Sequence, residues 1–226
     1  MVVARRTHVK KAIGINASPR KNWNTAQAVH KALEGAASTG AETRMVHLFD
    51  LDFKGCASCF ACKRHENNAA ICVIKDDLRP LLEEIMSSDI LILGSPVYFG
   101  DLTASLRALM ERLLFMNYTY DAAAPSKFKG SITTGLICTM NVPDAAMDQW
   151  GYTVVFERAV RSLSMVLNGP AEWLAVTDTL QFSDYSKYMS SMFDPEHKAR
   201  MRKEKFPVDL DAAFRYGIKL AAGKLS

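Results

Sequence analysis

The chain has 226 residues, 49% of them hydrophobic and 23% charged, with a formal net charge of +4. That composition is ordinary for a soluble globular protein, and a chain this long buries a core large enough to fold without disulfide or metal staples. The charge is modest and Lys and Arg are scattered, with no basic stripe interleaved with aromatics, which argues against nucleic acid as a partner.

No apolar run approaches the roughly 18 residues that a membrane span needs. Residues 1–10 are polar and basic without the apolar core of a signal peptide, so they read as a short N-terminal arm of a cytoplasmic protein. Four of the five cysteines fall within seventeen positions, from Cys56 to Cys72. That clustering points to a metal or redox site rather than a disulfide framework.

The chain reads as strand, loop and helix, repeated. Lys11 to Asn16 is a short apolar run that opens into a polar loop, and Thr25 to Ala37 follows with helical spacing. Thr43 to Leu48 is a second strand candidate. Lys75 to Ser88 reads as a helix with Leu78, Leu81, Leu82 and Ile85 on one face. Asp89 to Gly94 is an uninterrupted apolar strand, the pattern of one covered on both faces. Leu102 to Asn117 is helical again, with Leu106, Leu109, Met110, Leu113 and Leu114 on its buried stripe. Ser131 to Met140 is the fourth strand, Trp150 to Leu167 a long helix, Glu172 to Thr179 the fifth strand, and Leu210 to Ala222 the closing helix. Alternating strands and helices imply βαβ units, right-handed crossovers and a parallel sheet. Residues 1–226 read as one domain, and the Met-rich segment from Gln181 to Pro207 as an irregular extension, either facing a partner or covering a site.

Two loops carry candidate chemistry. Asn16 to Thr25 lies between the first strand and the first helix, where an open α/β sheet binds its ligand and the helix points free N–H groups at it. Ser18, Asn24 and Thr25 supply short side-chain donors, and Arg20 or Lys21 can offset charge. The loop has neither G-x-G-x-x-G nor G-K-[ST], so a single phosphate suits it better than a pyrophosphate. Thr25 as a plain helix N-cap is the alternative. Gly94 to Gly100 (GSPVYFG) follows the third strand. In a five-stranded sheet of order 2-1-3-4-5 the direction of strand addition reverses between strands one and three, which sets this loop beside the first. Pro96 stiffens it, Gly100 permits close approach, and Tyr98 and Phe99 offer aromatic surface.

With S-P-R-K-N-x-N-T after the first strand and G-S-P-V-Y-F-G after the third, the sequence resembles the NADPH-dependent FMN reductase and iron–sulfur flavoprotein group of the flavodoxin-like superfamily. The likeness runs from about Lys11 to Leu114, through the pairs Asp76-Asp77 and Glu111-Arg112. It implies a three-layer α/β sandwich. It also implies that Ser18, Arg20, Asn24 and Thr25 hold the phosphate of FMN, and that Pro96, Val97, Tyr98, Phe99 and Gly100 hold its ring. Thr139 to Val142, after the fourth strand, corresponds to a third contact region. Trp23 departs from the group, whose members commonly have glycine there. By the same analogy the site is built at a subunit interface in a homodimer or homotetramer, for which Phe115, Met116, Tyr118, Tyr120, Tyr185, Tyr188, Met189 and Met192 are surface candidates.

Cys56, Cys59 and Cys62, followed by Cys72, form C-x2-C-x2-C plus one distal cysteine. The set suits a 4Fe–4S cluster, a structural zinc or reduced thiols that shape the loop. The resembled iron–sulfur flavoproteins have a shorter last spacer than the one that contains His65 to Ala70. Cys138 lies inside a strand and reads as core. The five histidines, His8, His30, His47, His65 and His197, are too dispersed for a metal site, and Asp76-Asp77 reads as a helix N-terminus. Arg112 reads as a salt-bridge partner.

Flavin supplies redox chemistry while protein supplies position, so no catalytic triad is expected and no side chain is assigned a catalytic role. The expectation is an enzyme that passes electrons from NAD(P)H through FMN to a quinone, flavin or nitro compound. A protein that exchanges single electrons with redox partners through FMN and a cluster is the alternative, and a cofactor-free binding module a third.

Overall fold

The structure is a computed structural model that describes residues 8–66, 71–223 and 225. Most of the expected N-terminal arm and part of the His65 to Ala70 insertion lie outside the described residues. The strands are β1 (Lys11–Asn16), β2 (Glu42–His47), β3 (Ile90–Tyr98), β4 (Asp101–Leu102), β5 (Thr133–Thr139) and β6 (Ala171–Val176). The helices longer than one turn are α1 (Asn24–Ala37), α2 (Leu78–Met86), α3 (Ala104–Asn117), α4 (Tyr152–Leu167) and α5 (Pro195–Ala222).

Five strands run parallel in the order β2-β1-β3-β5-β6, and β4 adds to β3 antiparallel. The sheet therefore has six strands where five were expected, the sixth being the two-residue β4. Helices cover both faces, which is why the residues of β3 from Ile90 to Leu93 are all buried and why its sequence is apolar without alternation. On one face α2, α3 and α4 pack against Ile13, Ile15, Leu91, Leu93, Leu136 and Cys138. On the other, α1 and α5 pack against Ala12, Ile90, Ile92, Ile137 and Val176.

Two expectations are corrected. GSPVYFG is not a free loop: β3 continues through Tyr98, and Val97 pairs with Leu102 and Tyr98 with Asp101. Phe99 and Gly100 form the two-residue connection, with φ of 50° and 81°, as a tight hairpin requires of both central residues. The second correction concerns the C-terminal extension, whose second half is helix. Asp194 caps α5 by accepting from the backbone N–H of Glu196 and His197 at 2.9 and 3.2 Å. Pro195 sits in the first turn, where its missing N–H costs nothing, and the helix runs on through Pro207. Of the candidate interface residues, Met116 and Tyr185 are buried within the chain itself, whereas Tyr120, Tyr188, Met189 and Met192 are exposed. Among the described residues no helix is long and apolar enough to cross a membrane.

α1 and α5 cross in close contact through glycine. A Cβ on Gly217 would lie 1.8 Å from the Ala32 carbonyl oxygen, and one on Gly35 would lie 1.9 Å from that of Phe214. Neither obstacle is a movable side chain, so the helices must part to admit a methyl group. Gly217→Ala should cost about 1–3 kcal/mol and lower the urea midpoint. An unchanged midpoint would show that the two helices are not held this tightly.

Candidate functional site: a groove at the carboxyl edge of the sheet

β1 and β3 are neighbours whose following helices leave on opposite faces, and their carboxyl ends open a crevice between them. There the structure forms a groove of about 310 Å³ lined by Ser18, Arg20, Trp23, Asn24, Thr25, Pro96, Val97, Tyr98, Phe99, Thr139, Met140, Asn141, Thr179 and Gln181. All of the residues expected to hold phosphate or ring meet there except Gly100. Gly100 instead shapes the hairpin that presents Phe99, whose ring is fully exposed. A phenylalanine at positive φ is strained, and strain of this kind persists where surrounding structure enforces it.

Sequence order determines the phosphate side. Asn16 is fully buried at the end of β1; its Oδ1 accepts from the Ser18 N–H at 3.1 Å, and its Nδ2 donates to the Ser18 carbonyl at 3.2 Å. The Ser18 hydroxyl in turn accepts from the Arg20 N–H at 3.1 Å. These local bonds fold the loop back over the start of α1. Trp23 is the N-cap residue and supplies no side-chain cap, which leaves first-turn N–H groups to a ligand or water. Thr25 is not the N-cap. It lies inside the helix, with its hydroxyl 2.7 Å from that of Thr139 at the end of β5.

The segment after β6 closes the groove. Arg20 Nη1 donates to the Gln181 carbonyl at 2.6 Å, and Trp23 Nε1 and Asn24 Nδ2 donate to that of Leu180 at 3.2 and 3.0 Å. Thr179 and Gln181 were not foreseen as site residues: Thr179 was read as the end of the fifth strand, and Gln181 fell in the extension read as facing a partner or covering a site. Behind them Asp178 adopts φ 53° and lies buried between His197, at 2.6 Å, and the ammonium of Lys198. Lys198 also donates to the Asn141 carbonyl at 2.7 Å, so α5 ties together the segments that follow β5 and β6.

The fit to FMN rests on this donor set. Hydroxyls, an amide and a guanidinium converge at an uncapped helix N-terminus, which suits a phosphate. The hairpin beside them offers the aromatic and backbone surface that a flavin ring needs.

Cys56, Cys59, Cys62 and Cys72 line a second, much smaller cavity of about 20 Å³ with Phe60, Arg112, Phe115 and Met116. That volume holds about one water molecule. Among the described residues no three His, Cys, Asp or Glu side chains are grouped to hold a metal ion. The donors thus share one cavity, but cluster binding requires the loop to rearrange. Ser58 and Phe60 both adopt positive φ, so the loop is strained where it would move. Burial raises the pKa of the Cys62 thiol, and neighbouring Cys56 and Cys59 add to this against the opposing charge of Lys63. Arg112 pairs with Asp76, as its sequence position implied, and donates to the carbonyls of Lys54 and Ile74 at 3.3 and 3.4 Å.

The family model for NADPH-dependent FMN reductases matches residues 10–147. An iron-sulfur flavoprotein of Methanocaldococcus jannaschii is 41% identical over 102 residues, which cover 45% of this chain and 51% of that protein. One from Methanosarcina thermophila is 35% identical over 106 residues, 47% and 53% of the two chains. The chain thus spans about half the length of the curated relatives it matches. Among solved structures, the NAD(P)H:quinone oxidoreductase of Methanothermobacter marburgensis superposes with a TM-score of 0.67 at 16% identity, covering 94% of this chain and 98% of that one. An FMN-dependent NADH-azoreductase of Bacillus anthracis in complex with FMN gives 0.59 at 12% identity, over 92% and 100%. These two likenesses establish the flavodoxin-like fold.

The buried Asp178–Lys198 pair yields two expectations. Lys198→Met removes one partner and should destabilise the chain by roughly 3 kcal/mol, measured by urea denaturation. Burial pushes the Asp178 carboxyl up, but the bonds from Lys198 and His197 outweigh it and hold the pKa below the usual value. A lowered native pKa adds stability that is complete above the unfolded value of about 4 and drains away as pH falls through the native one. Wild type should therefore lose stability more steeply than Asp178→Asn below pH 4; parallel curves would remove this role from Asp178.

Proposed function

Because the chain belongs to the NADPH-dependent FMN reductase family, we propose that it binds FMN in the carboxyl-edge groove and passes electrons from a reduced nicotinamide to a small acceptor such as a quinone or a free flavin. The observation that carries this reading is the meeting of an uncapped α1 N-terminus with an exposed aromatic hairpin in one groove. FMN, when bound, supplies the hydride and single-electron chemistry.

The chain's own residues then have assignable work. Ser18, Arg20, Asn24 and Thr25, with the first-turn N–H groups of α1, hold the phosphate, and Arg20 offsets its charge. Pro96 to Phe99 present backbone and aromatic surface to the ring. Thr139 to Asn141 close the groove from the side of β5. The loop from Thr179 to Gln181 keeps water from the phosphate end. No side chain in the groove is needed as an acid or base for hydride transfer, so specificity for the acceptor lies in the shape of the open face beside Tyr98 and Phe99. A second copy of the chain is part of this reading. Its support is the exposed Phe99, Tyr188, Met189 and Met192, and sedimentation as a monomer at micromolar concentration would remove it.

One observation favours a second reading. The four clustered cysteines face one cavity, and the two curated relatives compared above are named iron-sulfur flavoproteins. In that reading Cys56, Cys59, Cys62 and Cys72 hold a cluster and the chain exchanges single electrons with a redox protein.

Anaerobically purified protein, with flavin absorbance and iron counted on one sample, separates the two. The reductase reading expects bound flavin that NADPH bleaches and a quinone restores, with Cys59→Ser leaving both steps intact. About four irons per chain, lost in Cys59→Ser together with reoxidation, would give the second reading precedence. Colourless protein that FMN neither colours nor stabilises would end both.

A further inference from the structure

The family match ends at residue 147, yet a residue far beyond it touches the proposed phosphate cradle. Arg202, on α5, donates from Nη1 to Asn24 Oδ1 at 3.0 Å and from Nη2 to Gln27 Oε1 at 3.2 Å. Its guanidinium lies 4.1 Å from the centroid of the Phe206 ring and 5.8 Å from that of Trp23. Arg20 approaches the same indole at 5.6 Å. Trp23, the residue that departs from the resembled group, thus has two guanidinium groups within 5.8 Å of its ring centroid.

A guanidinium only donates. Arg202 therefore fixes which end of the Asn24 amide faces α5: the oxygen turns to Arg202 and the nitrogen turns to the loop. One Nδ2 hydrogen is taken by the Leu180 carbonyl at 3.0 Å, and Asn24 lines the groove, so the amide has a second hydrogen to offer a ligand there. The Leu180 carbonyl, which only accepts, selects the same orientation from the loop side, and Arg202 adds the second anchor at the oxygen. The flipped form would present an oxygen lone pair to an anion.

We propose that Arg202 is a positioning residue of the phosphate cradle, holding Asn24 as a donor through a fork that spans α1. This deepens the FMN reading and rests on it. The role belongs to the planar fork rather than to charge, since two acceptors on successive turns of α1 are engaged by two nitrogens of one group. A lysine supplies the charge without that fixed geometry.

The test compares FMN with riboflavin, which has the same ring and no phosphate. Dissociation constants are measured by flavin fluorescence for wild type, Arg202→Met and Arg202→Lys, each checked as folded by circular dichroism. The expected result for Arg202→Met is FMN binding weakened about tenfold with riboflavin binding changed less than twofold, and Arg202→Lys grouping with Arg202→Met. Equal losses for both ligands would mean that Arg202 only supports the fold. Unchanged FMN binding in Arg202→Met, or full affinity in Arg202→Lys, would overturn the positioning role while leaving the FMN reading intact. Wild type that binds neither ligand would remove the FMN reading, and this inference with it.

Discussion

The seating of α1 on the sheet is the constraint from which the rest of the site follows. A Cβ on Gly14 would lie 2.6 Å from Leu33 Cδ1, and one on Gly94 would lie 2.2 Å from Val29 Cγ2. Glycine in β1 and again in β3 lets the helix lie directly over the crevice between these strands. That distance determines where the first-turn N–H groups point. It also determines where Arg20, Asn24 and Thr25 stand relative to the hairpin after β3. A helix one methyl group farther out would leave Thr25 unable to reach Thr139 across the end of the sheet.

The same close seating carries the distant end of the chain to the site. α5 lies on α1 through Gly35 and Gly217, and its N-terminal half therefore passes beside the first turn of α1. Lys198 and Arg202 come from that half, and each bonds a residue that lines the groove. Both sides of the opening, the phosphate loop and the loop after β5, are tied to one continuous helix. The buried Lys198–Asp178 pair fits this arrangement. Its desolvation is costly, but it joins α5, β6 and the Asn141 carbonyl at one point.

Much of this fold was legible because its strands are short apolar runs and its helices carry apolar stripes. Both loops at the crevice could be read from position, since the βα order alone places them together. The misreadings have physical causes. Gly94-Ser-Pro96 reads as a break, yet the strand continues past it because β4 supplies partners for Val97 and Tyr98. Gln181 to Pro207 as a whole reads as irregular, yet Asp194 and Pro195 make a strong helix start that the rest of α5 extends through Pro207. Thr179, Gln181, Lys198 and Arg202 form no local motif with the groove. Their contribution appears only when the chain after β6, α5 included, is laid against α1 and its loop, and one-dimensional spacing does not show that contact. His197 was set aside among dispersed histidines for the same reason, although its partner is Asp178.

Arg112 has a consequence for how the cysteine loop can vary. Its guanidinium holds the carbonyl of Lys54, just before Cys56, and that of Ile74, just after Cys72. The two ends of the loop are therefore pinned to α3 whatever lies between them. For a loop closed in this way the entropic penalty of extra chain is logarithmic, about 0.6 kcal/mol for each doubling of length. The spacer between Cys62 and Cys72 is thus close to neutral for stability, free to lengthen or shorten by insertion without unseating the helix that carries it. Spacing among these cysteines can therefore change while the frame of the molecule stays the same.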